Sequence, residues 1–153
     1  MHSRDLPQLR PERLDDLVLA VSRRLRRRWA HGLSPWGLSP HQSRALRVVT
    51  SYGDLRLGDL AEHLRIAPRS ATEVVDGLVE RGLLERVADP ADRRATLVRP
   101  TPEGEKVGAE VDAARGADAE ALFGHLTAGE RADLVRLLRK VVDTPGPGEP
   151  DGH

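Results

Sequence analysis

Residues 57–82 read LGDLAEHLRIAPRSATEVVDGLVERG and constrain the fold more than any other stretch. Leu60, Ala61 and Leu64 recur at helical spacing, and so do Ala71, Val74, Val75 and Leu78. Between the two stripes, Ile66-Ala67 leaves room only for a tight turn. Pro68 suits the first turn of a second helix, where a missing N–H is no loss. Gly82 stands where a helix closes on a left-handed residue. Two short helices joined this closely read as a helix-turn-helix. Ala67 is a poor N-cap for the second, because it offers no side-chain oxygen to the first free N–H groups.

The chain continues LLERVADPADRRATLVRP over 83–100. Leu84 and Val87 flank a charged stretch, Asp89-Pro90 signals a turn, and Thr96, Leu97 and Val98 favour a strand. This predicts a two-stranded hairpin directly after the helix-turn-helix, where a wing would stand. Taken alone, DPADRR reads first as a solvated turn; its place directly after a helix-turn-helix turns the reading toward DNA.

Helical patterns flank this middle module. Pro11 suits a first turn, and Leu14, Leu17, Val18, Val21, Leu25 and Trp29 follow at helical spacing up to Gly32. Ser39-Pro40-His41-Gln42 has the form of a capping box that opens a short helix ending near Gly53. Pro102 opens a long helix carrying Val107, Val111, Ala114, Leu122 and Phe123. Gly104, Gly108, Gly116 and Gly124 interrupt it, which implies bending or tight helix contacts. Thr127-Ala128-Gly129-Glu130 is a second capping box, before Leu134, Leu137, Leu138, Val141 and Val142. The tail TPGPGEPDGH has no apolar anchor and is expected to be disordered.

Composition narrows the function classes. The chain has no cysteine, which removes disulfides, thiol redox sensing and thiolate metal ligands. No G-x-S-x-G, P-loop or H-E-x-x-H occurs, so no catalytic constellation is visible, no cofactor is implied and an enzyme is not expected. The six histidines form no i, i+4 pair, and no carboxylate–histidine cluster has metal-ligand spacing. No apolar run reaches the ~18 residues of a membrane span and no signal peptide is visible, so a cytoplasmic location is the expectation. Net charge is zero, and residues 56–99 hold eight arginines against eight carboxylates. A nucleic-acid footprint here has to come from segregation of charge rather than excess.

The order of these pieces resembles the MarR family of winged-helix transcription factors. The resemblance is carried by LSPHQSRAL at 38–46, DLAEHLRI at 59–66, SATEVVDGLVERGLLER at 70–86 and DPADRRATLVRPTPEG at 89–104. It implies a mainly α fold with a small β-hairpin wing, as a single domain over 1–153. Helices in 8–32 and 102–143 would form a dimerisation region, 39–101 a winged helix-turn-helix lobe, and 144–153 the tail. It also implies a homodimer that binds a pseudo-palindromic operator in double-stranded DNA, acts as a repressor, and is released by a small anionic or aromatic effector. Dimerisation falls to Leu14, Leu17, Val21, Leu134, Leu137, Leu138 and Val141.

A recognition helix sets its N-terminal residues against base edges. Here those are Arg69, Ser70, Thr72 and Glu73. Arg69 suits guanine or a phosphate. Glu73 suits cytosine N4, or an intrahelical pair with Arg69. In the wing, Asp92-Arg93-Arg94 matches the family's motif: one arginine is expected in a minor groove, and the acid is expected to brace the other in a salt bridge. Asp89 sets the turn, and Arg56 is a further candidate for a phosphate. Arg23, Arg24, Arg26, Arg27 and Arg28 read as a solvated face paired with a partner's acids, or as a DNA-facing or effector-attracting patch. Trp29, His31, Trp36, His41 and Arg44 are candidates to line an effector site, though both tryptophans read equally well as core anchors. The rival reading is a winged-helix interaction or metal-sensing module with weak or no DNA binding.

Overall fold

The computed structural model describes residues 13–144. The helix anticipated over 8–32 is described from Leu14, so Pro11 lies outside the described residues, as does the tail from 145 onward. The elements run α1 (Leu14–Gly32), a 3-10 turn (Ser34–Trp36), α2 (Pro40–Tyr52), β1 (Leu55–Arg56), α3 (Leu57–Leu64) and α4 (Pro68–Glu80). They continue with β2 (Leu84–Ala88), β3 (Thr96–Pro100), α5 (Pro102–Phe123) and α6 (Ala128–Val142). The chain divides into two compact units, Met1–Asp118 and Ala119–His153, with the division inside α5.

In the first unit, α2, α3 and α4 close over the sheet around one core. Leu46 and Val49 from α2, Leu60 and Leu64 from α3, Val75 and Leu78 from α4, and Leu84 and Val98 from the sheet are all fully buried. Val107 and Val111 of α5 join them. The start of α5 lies hard against the turn that leads from α4 into β2. A Cβ at Gly104 would stand 1.8 Å from the Leu83 carbonyl oxygen, so only glycine fits. Thr101 completes that junction: its hydroxyl donates to the Gly82 carbonyl at 2.6 Å and accepts from the Gly104 N–H at 3.0 Å. Of the glycines that interrupt the α5 pattern, Gly104 and Gly108 sit at tight contacts, whereas Gly116 faces open space. Gly124 falls just beyond the helix.

The anticipated hairpin is real but incomplete. β2 and β3 pair from Leu84 opposite Pro100 to Ala88 opposite Thr96, and β1 adds a third antiparallel strand on the far side of β3. Its two residues are too few for any alternation to show in the sequence. Both capping boxes form: Ser39 with Gln42 opens α2, and Thr127 with Glu130 opens α6. α4 starts from Ala67 with no side-chain cap.

In the second unit, the Arg131 guanidinium pairs with Glu120 and donates to the Phe123 carbonyl, closing the turn between the end of α5 and α6. Neither α1 nor α6 contains a buried residue.

Candidate nucleic-acid interface

The eight arginines of 56–99 fall into two sets. Four are committed within the lobe. Arg56 pairs with Asp89 at 2.7 Å, Arg99 grips Asp54 through two bonds of 2.8 and 3.1 Å, and Arg86 pairs with Asp76. Arg81 donates to the Trp36 and Gly37 carbonyls. The other four, Arg65, Arg69, Arg93 and Arg94, make no ion pair and no side-chain hydrogen bond among the described residues. All four are exposed. A neutral lobe therefore carries uncompensated guanidinium groups in the helix-turn-helix turn, at the start of α4 and at the hairpin tip.

At the start of α4, Arg69, Ser70 and Glu73 are exposed, while Ala71, Val75 and Leu78 turn into the core. The Arg69–Glu73 pair allowed by their spacing does not form, so both side chains stay open to a partner. Thr72 differs from its expected place on the outer face. It is half-buried, and its hydroxyl donates to the Pro68 carbonyl at 3.0 Å, as a threonine does one turn back in a helix.

The hairpin tip also departs from expectation. The bracing ion pair does not join Asp92 to a tip arginine. Asp92 instead accepts the Arg94 N–H at 3.0 Å, an Asx turn that shapes the backbone. The ion pair is made by Asp89, whose carboxylate is buried and also accepts the Ala91 N–H at 2.9 Å. That N–H and the Arg56 guanidinium hold Asp89 below the usual carboxylate range. A lowered folded-state value means the brace is in place at neutral pH. It is lost only as pH falls through that lowered value. Arg56, expected as a free phosphate candidate, is thus the anchor of the hairpin to β1, although its side chain remains half exposed. Both tip arginines are left free.

The five residues considered for an effector site do not share one environment. The Trp29 indole donates to the Arg115 carbonyl at 3.3 Å, with the Arg115 guanidinium stacked 3.9 Å above its ring. The Trp36 indole donates to Glu110 at 3.0 Å. Arg44 donates to the His63 and Leu64 carbonyls, both at 3.0 Å, and so caps the end of α3. His31 and His41 are exposed. The tryptophans are anchors onto α5, and Arg44 is a structural cap. A shallow groove lies elsewhere, lined by Leu55, Asp59, Glu62 and His63.

The arginine run of α1 is exposed at Arg23, Arg24, Arg26, Arg27 and Arg28, with no ion pair among the described residues. Among those residues no group of three His, Asp or Glu is placed to hold a metal ion, and no helix is long and apolar enough to cross a membrane. Two residues of the lobe escaped the sequence reading. Arg65 sits in the turn with φ 53°, where glycine would be read as the default. Arg81 belongs to the ERGLLER run, which marked the resemblance without revealing a task.

Comparison with known proteins places this geometry. The MarR family model matches residues 36–95. An uncharacterised HTH-type transcriptional regulator of Mycobacterium leprae is 35% identical over 135 residues, which cover 84% of this chain and 91% of that one. A mutant MarR from Escherichia coli complexed with operator DNA superposes with a TM-score of 0.71 at 28% identity, over 84% of this chain and 93% of that one. BpsR from Bordetella bronchiseptica, whose DNA binding is regulated by 6-hydroxynicotinic acid, gives the same TM-score and identity over 88% and 96% of the two chains.

Proposed function

The chain belongs to the MarR family of DNA-binding transcriptional regulators, and from that premise we propose that it is a homodimeric repressor of a pseudo-palindromic operator. Arg69, Ser70 and Glu73 meet base edges in the major groove. Arg93 or Arg94 enters the neighbouring minor groove, and Arg65 holds a phosphate beside the recognition helix. Asp89, through Arg56, and Asp92, through the backbone, fix the wing from which the tip arginines reach out. The observation that carries this reading is the division of the arginines. The lobe ties down half of them internally, three in ion pairs and Arg81 on backbone carbonyls, and leaves unpaired those at the turn, the helix start and the wing tip. Glu73 stays compatible with DNA because an exposed carboxylate can accept from cytosine N4.

The exposed apolar rows of α1 and α6 supply the dimer contact. A small anionic or aromatic effector is the releasing signal, by analogy with BpsR. Of the residues considered for its site, His31 and His41 keep their side chains uncommitted. Trp29, Trp36 and Arg44 act from fixed positions.

Selection from a random duplex library at a stated salt concentration tests the reading. A dimer enriches two inverted half-sites about one helical turn apart, roughly 10 bp centre to centre. Absence of enrichment, repeated after refolding the protein free of small molecules, would favour a module that works through protein partners.

A further inference from the structure

The ERGLLER run marks the end of the recognition helix, and one of its arginines reaches away from any candidate DNA contact. The Arg81 guanidinium donates to the Gly37 carbonyl at 2.8 Å and also to the Trp36 carbonyl. It lies over Gly37, where an added Cβ would sit 3.8 Å from both terminal nitrogens. The loop it holds is rooted in the core on either side by Leu33 and Leu38, each 5% exposed. The same loop is tied to α5 from the other side, because the Trp36 indole donates to Glu110 at 3.0 Å. Arg81, the 36–37 backbone and Glu110 therefore form one chain of hydrogen bonds from the far end of α4 to the middle of α5.

We propose that this chain is a latch that sets the aim of the recognition helix, with Arg81 and Glu110 as positioning residues for DNA recognition. The inference rests on the DNA-binding reading above and adds residues that touch no base. The geometry gives the latch leverage. α4 has 13 residues and is thus about 20 Å long. A tilt of about 3° about its C-terminal end moves Arg69 and Ser70 by about 1 Å. Polar recognition tolerates about 0.5 Å, so a loosened end degrades base contacts while leaving phosphate contacts largely served. The apolar face of α4 fixes its depth in the core. The bidentate grip of Arg81 restrains the remaining freedom at its end.

The test uses the full chain, the duplex enriched by selection and an unrelated duplex of equal length, titrated over a range of salt. Arg81→Ala and Glu110→Ala are each expected to weaken the selected duplex about three- to tenfold. The unrelated duplex should change by less than about twofold, and the slope of log affinity against log salt should not change. The double variant is expected to lose no more than the worse single, because either break opens the same chain. Glu110→Gln, which keeps an acceptor for the indole, is expected to restore binding. Glu110→Ala, which removes the acceptor of the Trp36 indole and leaves the ring in place, serves alone if Arg81→Ala fails to fold. A salt slope lower by about one would make Arg81 a phosphate contact instead and overturn the latch. Unaltered affinity, or losses that multiply in the double variant, would overturn it too. Wild-type protein that binds neither duplex would overturn the DNA-binding reading and the latch with it, whereas a binding wild type with indifferent variants overturns the latch alone.

Discussion

At the scale of single residues, Arg65 carries an internal conflict. It has a left-handed backbone, φ 53°, at the end of α3, and it is the one described residue other than glycine with a positive φ. Its N–H bonds the Glu62 carbonyl and the next N–H bonds that of Ala61, a helix ending that glycine would make without strain. An exposed, unpaired arginine at such a position fits the phosphate contact proposed for it. Arg65→Gly is therefore expected to act in two directions. Stability should rise by about 0.5–1 kcal/mol, seen as a melting point roughly 2–5 °C higher. Duplex affinity should fall, with a salt slope smaller by about one, because one phosphate contact is gone. A stabilised variant with unchanged affinity would remove Arg65 from the interface. The sequence did not disclose this residue, since nothing local marks an arginine as left-handed. Asp89 was legible as a turn residue, but its partner Arg56 lies 33 positions away, and pairings at that range have no local signature.

At the scale of elements, legibility followed local chemistry. The two capping boxes, the Pro68 start of α4 and the Gly82 stop all rest on contacts within a few residues, and each appears as read. β1 does not, because two residues pair only when β3 arrives beside them. The weakness at Ala67 is equally local and equally real: its backbone has the extended geometry of an N-cap, φ −62° and ψ 146°, but no side-chain oxygen reaches the helix start. Ala67→Ser is expected to supply that acceptor. The gain should be about 1 kcal/mol, visible as a rise of a few degrees in melting temperature. Serine adds no charge, so the salt slope of duplex binding should stay the same. No change in the melting temperature would mean that Pro68 and the core contacts of Ala71 already hold the first turn without a cap.

At the scale of the whole molecule, the apolar stripes of α1 and α6 were legible, and what covers them was not, because a stripe does not name its partner. Leu14, Leu17, Val18, Leu19 and Val21 of α1 are exposed, as are Val135, Leu137, Leu138, Val141 and Val142 of α6. Only Leu134 of the expected dimerisation set is half-buried. A 15-residue helix with no buried residue is marginal by itself. Covering a large apolar side chain contributes about 1.5–3 kcal/mol, so ten of them reach the scale of the ~4–15 kcal/mol that association costs. A second copy of this chain is the cover proposed above. Leu138→Glu places a charge in the middle of the α6 row, where burial would leave it unpaired. Light scattering at micromolar concentration is then expected to report a monomer where the wild type is a dimer. Affinity for a two-half-site duplex should drop by at least a hundredfold, while affinity for a single half-site should barely change, because each winged lobe closes its own core and keeps its arginines. A Leu138→Glu protein that stays dimeric would move the interface off the α6 row. A monomer that still grips the full operator at wild-type affinity would mean that one lobe suffices and that the palindrome is not what the protein reads.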